Sequence, residues 1–421
     1  MGSSADDAIL RRLMEICGPQ FARPGGPADA VAGTQPHWVA APPHTQGAAE
    51  VLRVAARAGL TLTARGAGSK LDWSVPPHGL DLVLDTGRLA GLRRHAEPDL
   101  LVEVGAGTPL RSVQTVLAGV NRRLAIDPPS AGPTIGGVLA ADETGPLRHR
   151  WGSPREQILH LRCLTIEGEL LQLTGDAVRE FGDAGGFPGQ VEGIPAGLLG
   201  GFPRRPARLA GCADPLPGII TSATLRVLPR PGARLWVSRT LANPSEARDL
   251  ILGIRSSAVH PDAIEIDLPA GRPAGIPRQR AVRETAGTLS MLLEGDPAPV
   301  GVRAAVLVDL LGGDARPEST PPVWWGRAPF DAGEVGLRID LPPADLHAAV
   351  YALRDAVGAA VPVRGRAGVG VIHAALPATL TPARVSAILD ALRGILLARD
   401  GTCTVLSAPA TVRAAVNPCG P

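Results

Sequence analysis

The chain has 421 residues, enough for one or two domains and more readily for two. With 45% hydrophobic residues it can bury a full core, which excludes a largely disordered polymer. Its 42 basic and 40 acidic residues nearly cancel, to a net charge of +2, so nothing electrostatic calls for nucleic acid or an anionic membrane as a partner.

Ile9, Leu10, Leu13, Met14 and Cys17 recur at helical spacing, and Gly18-Pro19 stops that helix. Thr45 is the expected cap of a second helix with Ala48, Val51, Leu52 and Ala55 on its apolar face, ending at Gly59. Leu60 to Thr63, Leu82 to Leu84 and Leu101 to Val104 read as strands. Thr108-Pro109 opens a helix with Pro at its first position, and Leu110, Val113 and Leu117 face inward. Leu161 to Ile166 and Leu170 to Leu173 read as a hairpin across Glu167-Gly168-Glu169. Phe181 to Gly218 holds ten Gly and six Pro with no periodicity, too long for an ordinary connection. A strand follows from Ile219 to Val227, and Pro229-Arg230-Pro231 marks a domain boundary. Beyond it strands are expected at Leu235 to Val237, Ala263 to Leu268, Thr288 to Leu293, Gly336 to Leu341 and Val369 to Leu376. Helices are expected at Pro244 to Ser256, Ala298 to Leu311, Pro343 to Val357 and Pro382 to Arg399.

The five cysteines are scattered and form no C-x-x-C, which excludes a disulfide scaffold and a zinc ribbon and suits a reducing compartment. No apolar run approaches the ~20 residues of a membrane helix, and no secretory signal follows Met1. Composition thus allows a cytoplasmic two-domain α/β protein.

Three segments can carry chemistry. Arg65-Gly66-Ala67-Gly68-Ser69-Lys70 follows a strand, and its glycines let the backbone approach a phosphate, with Arg65, Ser69 and Lys70 as further donors. An ordinary tight turn fits these residues equally well. Pro128 to Ala140, with Pro129, Ser130, Thr134, Ile135, Gly136 and Gly137, suits either a flat ligand or a turn that opens a buried helix. Gly218-Ile219-Ile220-Thr221 by itself reads as a core strand.

Taken as an ordered set, these segments resemble the FAD-binding domain of the vanillyl-alcohol oxidase family, also called the p-cresol methylhydroxylase (PCMH) type. Its R-G-x-G-[ST] loop, P-x-x-x-x-T-[IV]-G-G segment, G-P and R-[YW]-G steps and G-[IV]-[IV]-T strand match Arg65 to Ser69, Pro129 to Gly137, Gly145-Pro146, Arg150-Trp151-Gly152 and Gly218 to Thr221. Asp85 to Leu89 and Val104 to Gly107 add to the likeness. From about Gly232, Leu289 to Gly295 and Pro322-Val323-Trp324-Trp325 resemble the cap of glycolate oxidase FAD-binding subunits. The resemblance implies an α+β fold: an N-terminal helix and linker (1–35), a two-subdomain PCMH-type FAD-binding domain (36–230) and an α+β FAD-linked oxidase cap (231–421). It implies FAD held by Arg65, Gly66, Ala67, Gly68, Ser69, Lys70, Pro129, Ser130, Thr134, Ile135, Gly136, Gly137, Gly145, Trp151, Gly152, Gly218, Ile219 and Ile220. Some members attach the flavin through a His in the first loop; Ser69 and Lys70 stand there, so non-covalent FAD is expected.

The chain departs from the family at four places. The K-N-x-x-G-[YF]-D and G-[ST]-x-G-T-L-G segments along the isoalloxazine are replaced by the Gly/Pro-rich stretch, where Pro215 and Pro217 offer no N–H. The cap motif G-H-x-G-D-G-N-x-H has become Gly365-Arg366-Ala367-Gly368-Val369-Gly370-Val371-Ile372-His373. One His does not build a metal site, so no metal is expected. The tail expected to return to the flavin ends at Asn417-Pro418-Cys419-Gly420-Pro421. Asp142-Glu143 would disfavour a diphosphate unless they turn away or pair with Arg148 or Arg150.

The resulting expectation is an FAD-dependent oxidoreductase that oxidises a small 2-hydroxy acid by hydride transfer, with Arg366 and His373 as catalytic candidates. Arg366 suits a substrate carboxylate, while His373, taken by itself, reads more readily as a plain strand histidine. His149, near the flavin loop, reads as a surface residue. The alternative is a non-catalytic, FAD-weak subunit of a flavoenzyme complex with a flavoprotein or iron-sulfur partner. A nucleotide-sugar reductase is a distant third, since no G-x-G-x-x-G site supports a nicotinamide donor.

Overall fold

A computed structural model describes residues 3–71, 79–96, 100–183, 218–270, 287–331 and 333–417. They fall into two compact units, 1–143 with 153–229, and 144–152 with 230–421.

The first unit begins with helix α1 (Ser3–Cys17) and strands β1 (Ala22–Pro24) and β2 (Trp38–Ala40), then α2 (Thr45–Ala58), β3 (Leu62–Arg65) and β4 (Leu82–Asp85). The strands form one sheet in the order β1-β2-β4-β3, with β4 parallel to both of its neighbours. Ala48, Val51, Leu52 and Ala55 of α2 are buried together with Leu82 and Leu84, as the helical spacing predicts. The cap of α2 differs from expectation. His44 is the N-cap, its Nδ1 accepting the Gly47 N–H at 3.0 Å, and Thr45 is the first helical residue.

A second, antiparallel sheet is built from β5 (Leu92–Ala96), β6 (Leu101–Gly105), β8 (Ile158–Leu164), β9 (Leu170–Thr174) and β10 (Ile219–Arg226), ordered β5-β6-β10-β8-β9. Strands β7 (Arg122–Arg123) and β11 (Leu228–Pro229) pair separately. Helices α3 (Leu110–Gly119) and α4 (Ile135–Ala141) bury Val113, Leu117, Val138 and Leu139 against the second sheet. Pro109 stands at the N-cap of α3, one place before the position expected for it. The short α5 (Arg148–Trp151) belongs to the second unit. Helix α6 (Gly175–Asp183) occupies the start of the stretch read as irregular; 184–217, with the departures at Pro215 and Pro217, lies outside the described residues.

The second unit is one antiparallel eight-stranded sheet backed by helices. Its strands are β12 (Ala233–Leu241), β13 (Ala263–Leu268), β14 (Gly287–Gly295), β15 (Arg316–Glu318), β16 (Val335–Asp340), β17 (Val363–Arg366), β18 (Val371–Leu376) and β19 (Thr402–Ser407), ordered β15-β12-β14-β13-β17-β18-β16-β19. Helices α7 (Pro244–Arg255), α8 (Pro297–Leu311), α9 (Leu346–Val357) and α10 (Pro382–Leu397) supply Ile251, Leu307, Leu353 and Leu392 to a core with Ile266, Leu289, Leu337 and Ile372. Strand side chains alternate between faces, so Glu265, Asp267, Arg338, Arg364 and His373 stand on the face away from those core residues. Val369 is not in a strand: Ala367–Val369 is a 3-10 turn between β17 and β18. Among the described residues no helix is long and apolar enough to cross a membrane.

Candidate FAD site

The first loop, Gly66 to Lys70, leaves β3 at its C-terminal end. Arg65 is anchored beneath it: Nη1 donates to Asp29 Oδ1 at 2.8 Å, and Nε and Nη2 donate to Asp85 Oδ2 at 3.1 and 2.8 Å. Asp29 also receives Arg23 in a two-pronged pair at 2.6 and 2.8 Å, and the Gly26 N–H. Arg23 and Arg65 hold the Asp29 carboxyl far below the usual range, with the Gly26 N–H adding to the effect. The guanidinium of Arg65, expected among the phosphate donors, is thus committed to two carboxylates. Its role is to fix the strand end from which the loop departs.

Loop and helix meet at Gly66. A Cβ there would lie 2.2 Å from Thr134 Oγ1, so only glycine lets the first loop pack against the second segment. Thr134 is the N-cap of α4, its Oγ1 accepting the Gly137 N–H at 3.3 Å. The next two N–H groups are also used, Ile135 on Thr108 O and Gly136 on Ala106 O. A Cβ on Gly136 would meet Ala106 Cβ at 2.8 Å, so this glycine serves the close approach of α4 to the β6–α3 turn. By contrast, among the described residues the backbone N–H groups of Gly66, Ala67, Gly68 and Ser69 donate to no other group. Consecutive N–H groups in such a turn form a concave anion cradle.

The closing strand completes the same neighbourhood. Thr221 O accepts the Ala106 N–H at 3.0 Å. Gly218 has φ +98°, and a Cβ there would run into Leu164 O at 2.0 Å. Ile219 and Ile220 each send their side chain into a hydrophobic core of this unit, so what they can offer a ligand is backbone.

The carboxylates expected to disturb a diphosphate are both accounted for. Asp142 Oδ1 accepts the Arg155 N–H at 3.1 Å. Glu143 is buried, and its partners are Lys70 and Ser130 rather than Arg148 or Arg150. Lys70 Nζ lies 2.6 Å from Oε2, while the N–H and hydroxyl of Ser130 donate to Oε1.

Gly145, Trp151 and Gly152 belong to the second unit. There Arg150 Nε lies 3.2 Å from Asp262 Oδ1. His149 is a half-buried residue seated on Gly368, not the surface residue expected. Burial, with Arg255 nearby, pushes its pKa down.

His373 and Arg366 are buried in the same unit. His373 on β18 is paired in register with Arg364 on β17 and Arg338 on β16, and Phe330 packs on it with ring centroids 6.2 Å apart. Burial first, then the charges of Arg366 and Arg338, hold the imidazole well below its ordinary pKa, so it is neutral at pH 7. Arg338 forks onto Asp340 at 2.7 and 2.8 Å, and Arg364 Nε donates to Asp267 at 2.7 Å. Sequence reading singled out neither arginine, although period-two alternation from His373 and across the sheet puts them on its face. Among the described residues no three His, Cys, Asp or Glu side chains gather as a metal site.

Residues 36–174 match the family described as "FAD binding domain". These residues are an FAD-binding domain, consistent with the PCMH-type FAD-binding family. The cofactor of that domain is FAD. The chain is similar to glycolate oxidase subunit GlcE of Escherichia coli (strain K12), 27% identical over 183 residues, which are 43% of this chain and 46% of that protein. It is also similar to an uncharacterized FAD-linked oxidoreductase of Mycobacterium tuberculosis (strain ATCC 25618 / H37Rv), 23% identical over 34% of this chain and 31% of that one. The chain spans less than half the length of the curated relatives it matches. Among solved structures, alkyldihydroxyacetonephosphate synthase shares the fold, with a TM-score of 0.68 and 15% identity over 94% of this chain and 80% of that one. The cradle at Gly66 to Ser69 and the glycine contacts at Gly66 and Gly136 fit a dinucleotide laid along backbone.

Proposed function

We propose that this FAD-binding chain is a redox enzyme that oxidises a small 2-hydroxy acid of the glycolate or lactate class, with the flavin bound non-covalently. The first loop, Thr134 to Gly137 and Gly218 to Ile220 hold the FAD, chiefly through backbone. When bound, FAD supplies the hydride acceptor. The observation that carries the substrate reading is the neutral His373 set between arginines on one sheet face.

Arg366 favours a carboxylate beside it, because a guanidinium fork matches its two oxygens, while Arg338, held by Asp340, adds only to the local field. That carboxylate offsets the positive field which, after burial, keeps His373 unprotonated. The imidazole nitrogen then becomes a better acceptor for the substrate hydroxyl proton as the C–H bond breaks. His373 is buried, with Phe330 packed on it, which limits competition from water. A small-molecule acid is therefore the substrate, and a further subunit is the partner through which electrons leave.

A second reading has its own support. Arg338 and Arg364 are each already neutralised by an aspartate, and the similar GlcE is by name a subunit. On that reading the chain retains FAD but stabilises a catalytic partner.

The test is to purify the protein, record its visible spectrum, release the flavin with acid, and screen 2-hydroxy acids for bleaching under anaerobic conditions. Bleaching by a 2-hydroxy acid, lost by roughly a hundredfold or more in rate in His373→Gln, supports the enzyme. Stoichiometric flavin that no 2-hydroxy acid reduces supports the subunit.

A further inference from the structure

Lys70 is the only lysine in the chain and directly follows the R-G-x-G-S loop. We propose that Lys70, Glu143 and Ser130 form a buried clasp that sets the spacing of the two FAD loops, so that Lys70 is a positioning residue and not a phosphate ligand. The inference rests on the FAD reading of those loops.

Both oxygens of Glu143 are used, one by each loop. Oε2 faces Lys70 Nζ at 2.6 Å, and Oε1 takes the Ser130 N–H at 3.0 Å together with the Ser130 hydroxyl. The side chains of Glu143 and Lys70 are 3% and 12% exposed, so neither charge is softened much by water. The carboxylate also sits on a fixed base. Asp142 turns the chain at φ +44°, and the Glu143 N–H returns to Val138 O at 3.1 Å. Arg155 holds the end of α4 through Leu139 O and Ala140 O.

Moving Lys70 onto a diphosphate would strand a buried carboxylate, which is strongly unfavourable once its cation is gone. With Arg65 committed to Asp29 and Asp85, the first loop then meets the phosphates through its backbone N–H groups and the Ser69 hydroxyl, with no cation of its own. Glu143, one of the two carboxylates expected to disfavour a diphosphate, becomes the reason that Lys70 and Ser130 are where they are.

The test compares FAD affinity of the deflavinated protein, by fluorescence titration, and its melting temperature without FAD. The proteins are wild type, Lys70→Met, Lys70→Arg, Glu143→Gln, Ser130→Ala and the Lys70→Met/Glu143→Gln double variant. The clasp requires each of Lys70→Met and Glu143→Gln to weaken FAD roughly tenfold to a hundredfold. The double variant is then no weaker than the worse single, and Lys70→Arg keeps most of the affinity. Ser130→Ala leaves both charges in place and gives a smaller loss in the same direction, which keeps the test open where a charge variant fails to fold. Tighter or unchanged FAD binding in Glu143→Gln overturns the proposal, because it means that Lys70, once released, serves the phosphate. Losses that add in the double variant overturn it as well. A wild-type protein with no affinity for FAD is a different result: it removes the FAD reading, and the clasp with it.

Discussion

At Gly66 one absent carbon keeps two loops in register. An added Cβ would sit 2.2 Å from Thr134 Oγ1, and that oxygen cannot swing away without losing the Gly137 N–H. Overpacking of this kind costs about 1–3 kcal/mol. Drawn from the bound state, that weakens FAD roughly 5- to 150-fold. Gly66→Ala is therefore expected to fold, by circular dichroism, yet to lose FAD on gel filtration. Gly119→Ala, where a Cβ meets open space, is the control that keeps it. Asp29 makes a second prediction at this scale. Its carboxyl is held below the usual range chiefly by Arg23 and Arg65, so the folded state binds its proton less readily than the unfolded chain. The stabilisation is present above the unfolded pKa of about 3.9 and drains away as pH falls below it. Asp29→Asn should cost roughly 2–4 kcal/mol at pH 7, toward the low end because Arg23 is half exposed. In urea melts the gap between the two proteins should close on the acid side of pH 4; a gap of constant size would show that the ion pairs contribute nothing.

At the scale of elements, α4 is a short helix held at both ends by side chains, its own N-cap Thr134 and, on its last carbonyls, Arg155. A seven-residue helix has little stability of its own, so its place depends on these anchors and on Val138 and Leu139 in the core. Thr134→Ala should cost about 1 kcal/mol through the lost cap. It also removes the oxygen that blocks a Cβ at Gly66. In the Thr134→Ala background, then, Gly66→Ala should cost far less FAD affinity than it does alone, and titration of the four proteins as a cycle measures that coupling. Much at this level was legible in the sequence. Helices α2, α3 and α7 to α10 follow their apolar spacing, and the glycines of both loops mark real close approaches. What was not legible is long-range. Nothing local to Arg65 names Asp29, 36 residues away, and nothing local to Lys70 names Glu143. Those pairings exist only once β3, β4 and α4 are packed. The cap at His44 was missed because imidazole is an uncommon cap beside a threonine that fits the rule. Strand β19 was missed although Thr402 to Val405 carries the alternation that puts Cys403 and Val405 in the core.

Over the whole molecule, the two units offer different kinds of surface. The first offers backbone: a cradle of N–H groups whose neighbouring cations are already matched by carboxylates. The second offers side chains: a polar sheet face on which His373 is kept neutral by burial and by Arg366 and Arg338. A cofactor held by backbone is bound by folded protein alone, because the cradle does not exist in the unfolded chain. Ligand binding of that kind raises stability by mass action, by about 2.7 kcal/mol when FAD stands at a hundred times its dissociation constant. For a unit near 200 residues this corresponds to a rise in melting temperature of roughly 5–10 °C. Calorimetry of the deflavinated protein across a series of FAD concentrations should show that rise, growing with the logarithm of FAD. FMN, which lacks the adenylate half and its diphosphate, should give much less. Equal shifts with FMN and FAD would mean that the Gly66 to Ser69 cradle does not meet the diphosphate, and that the flavin is held from its ring end instead.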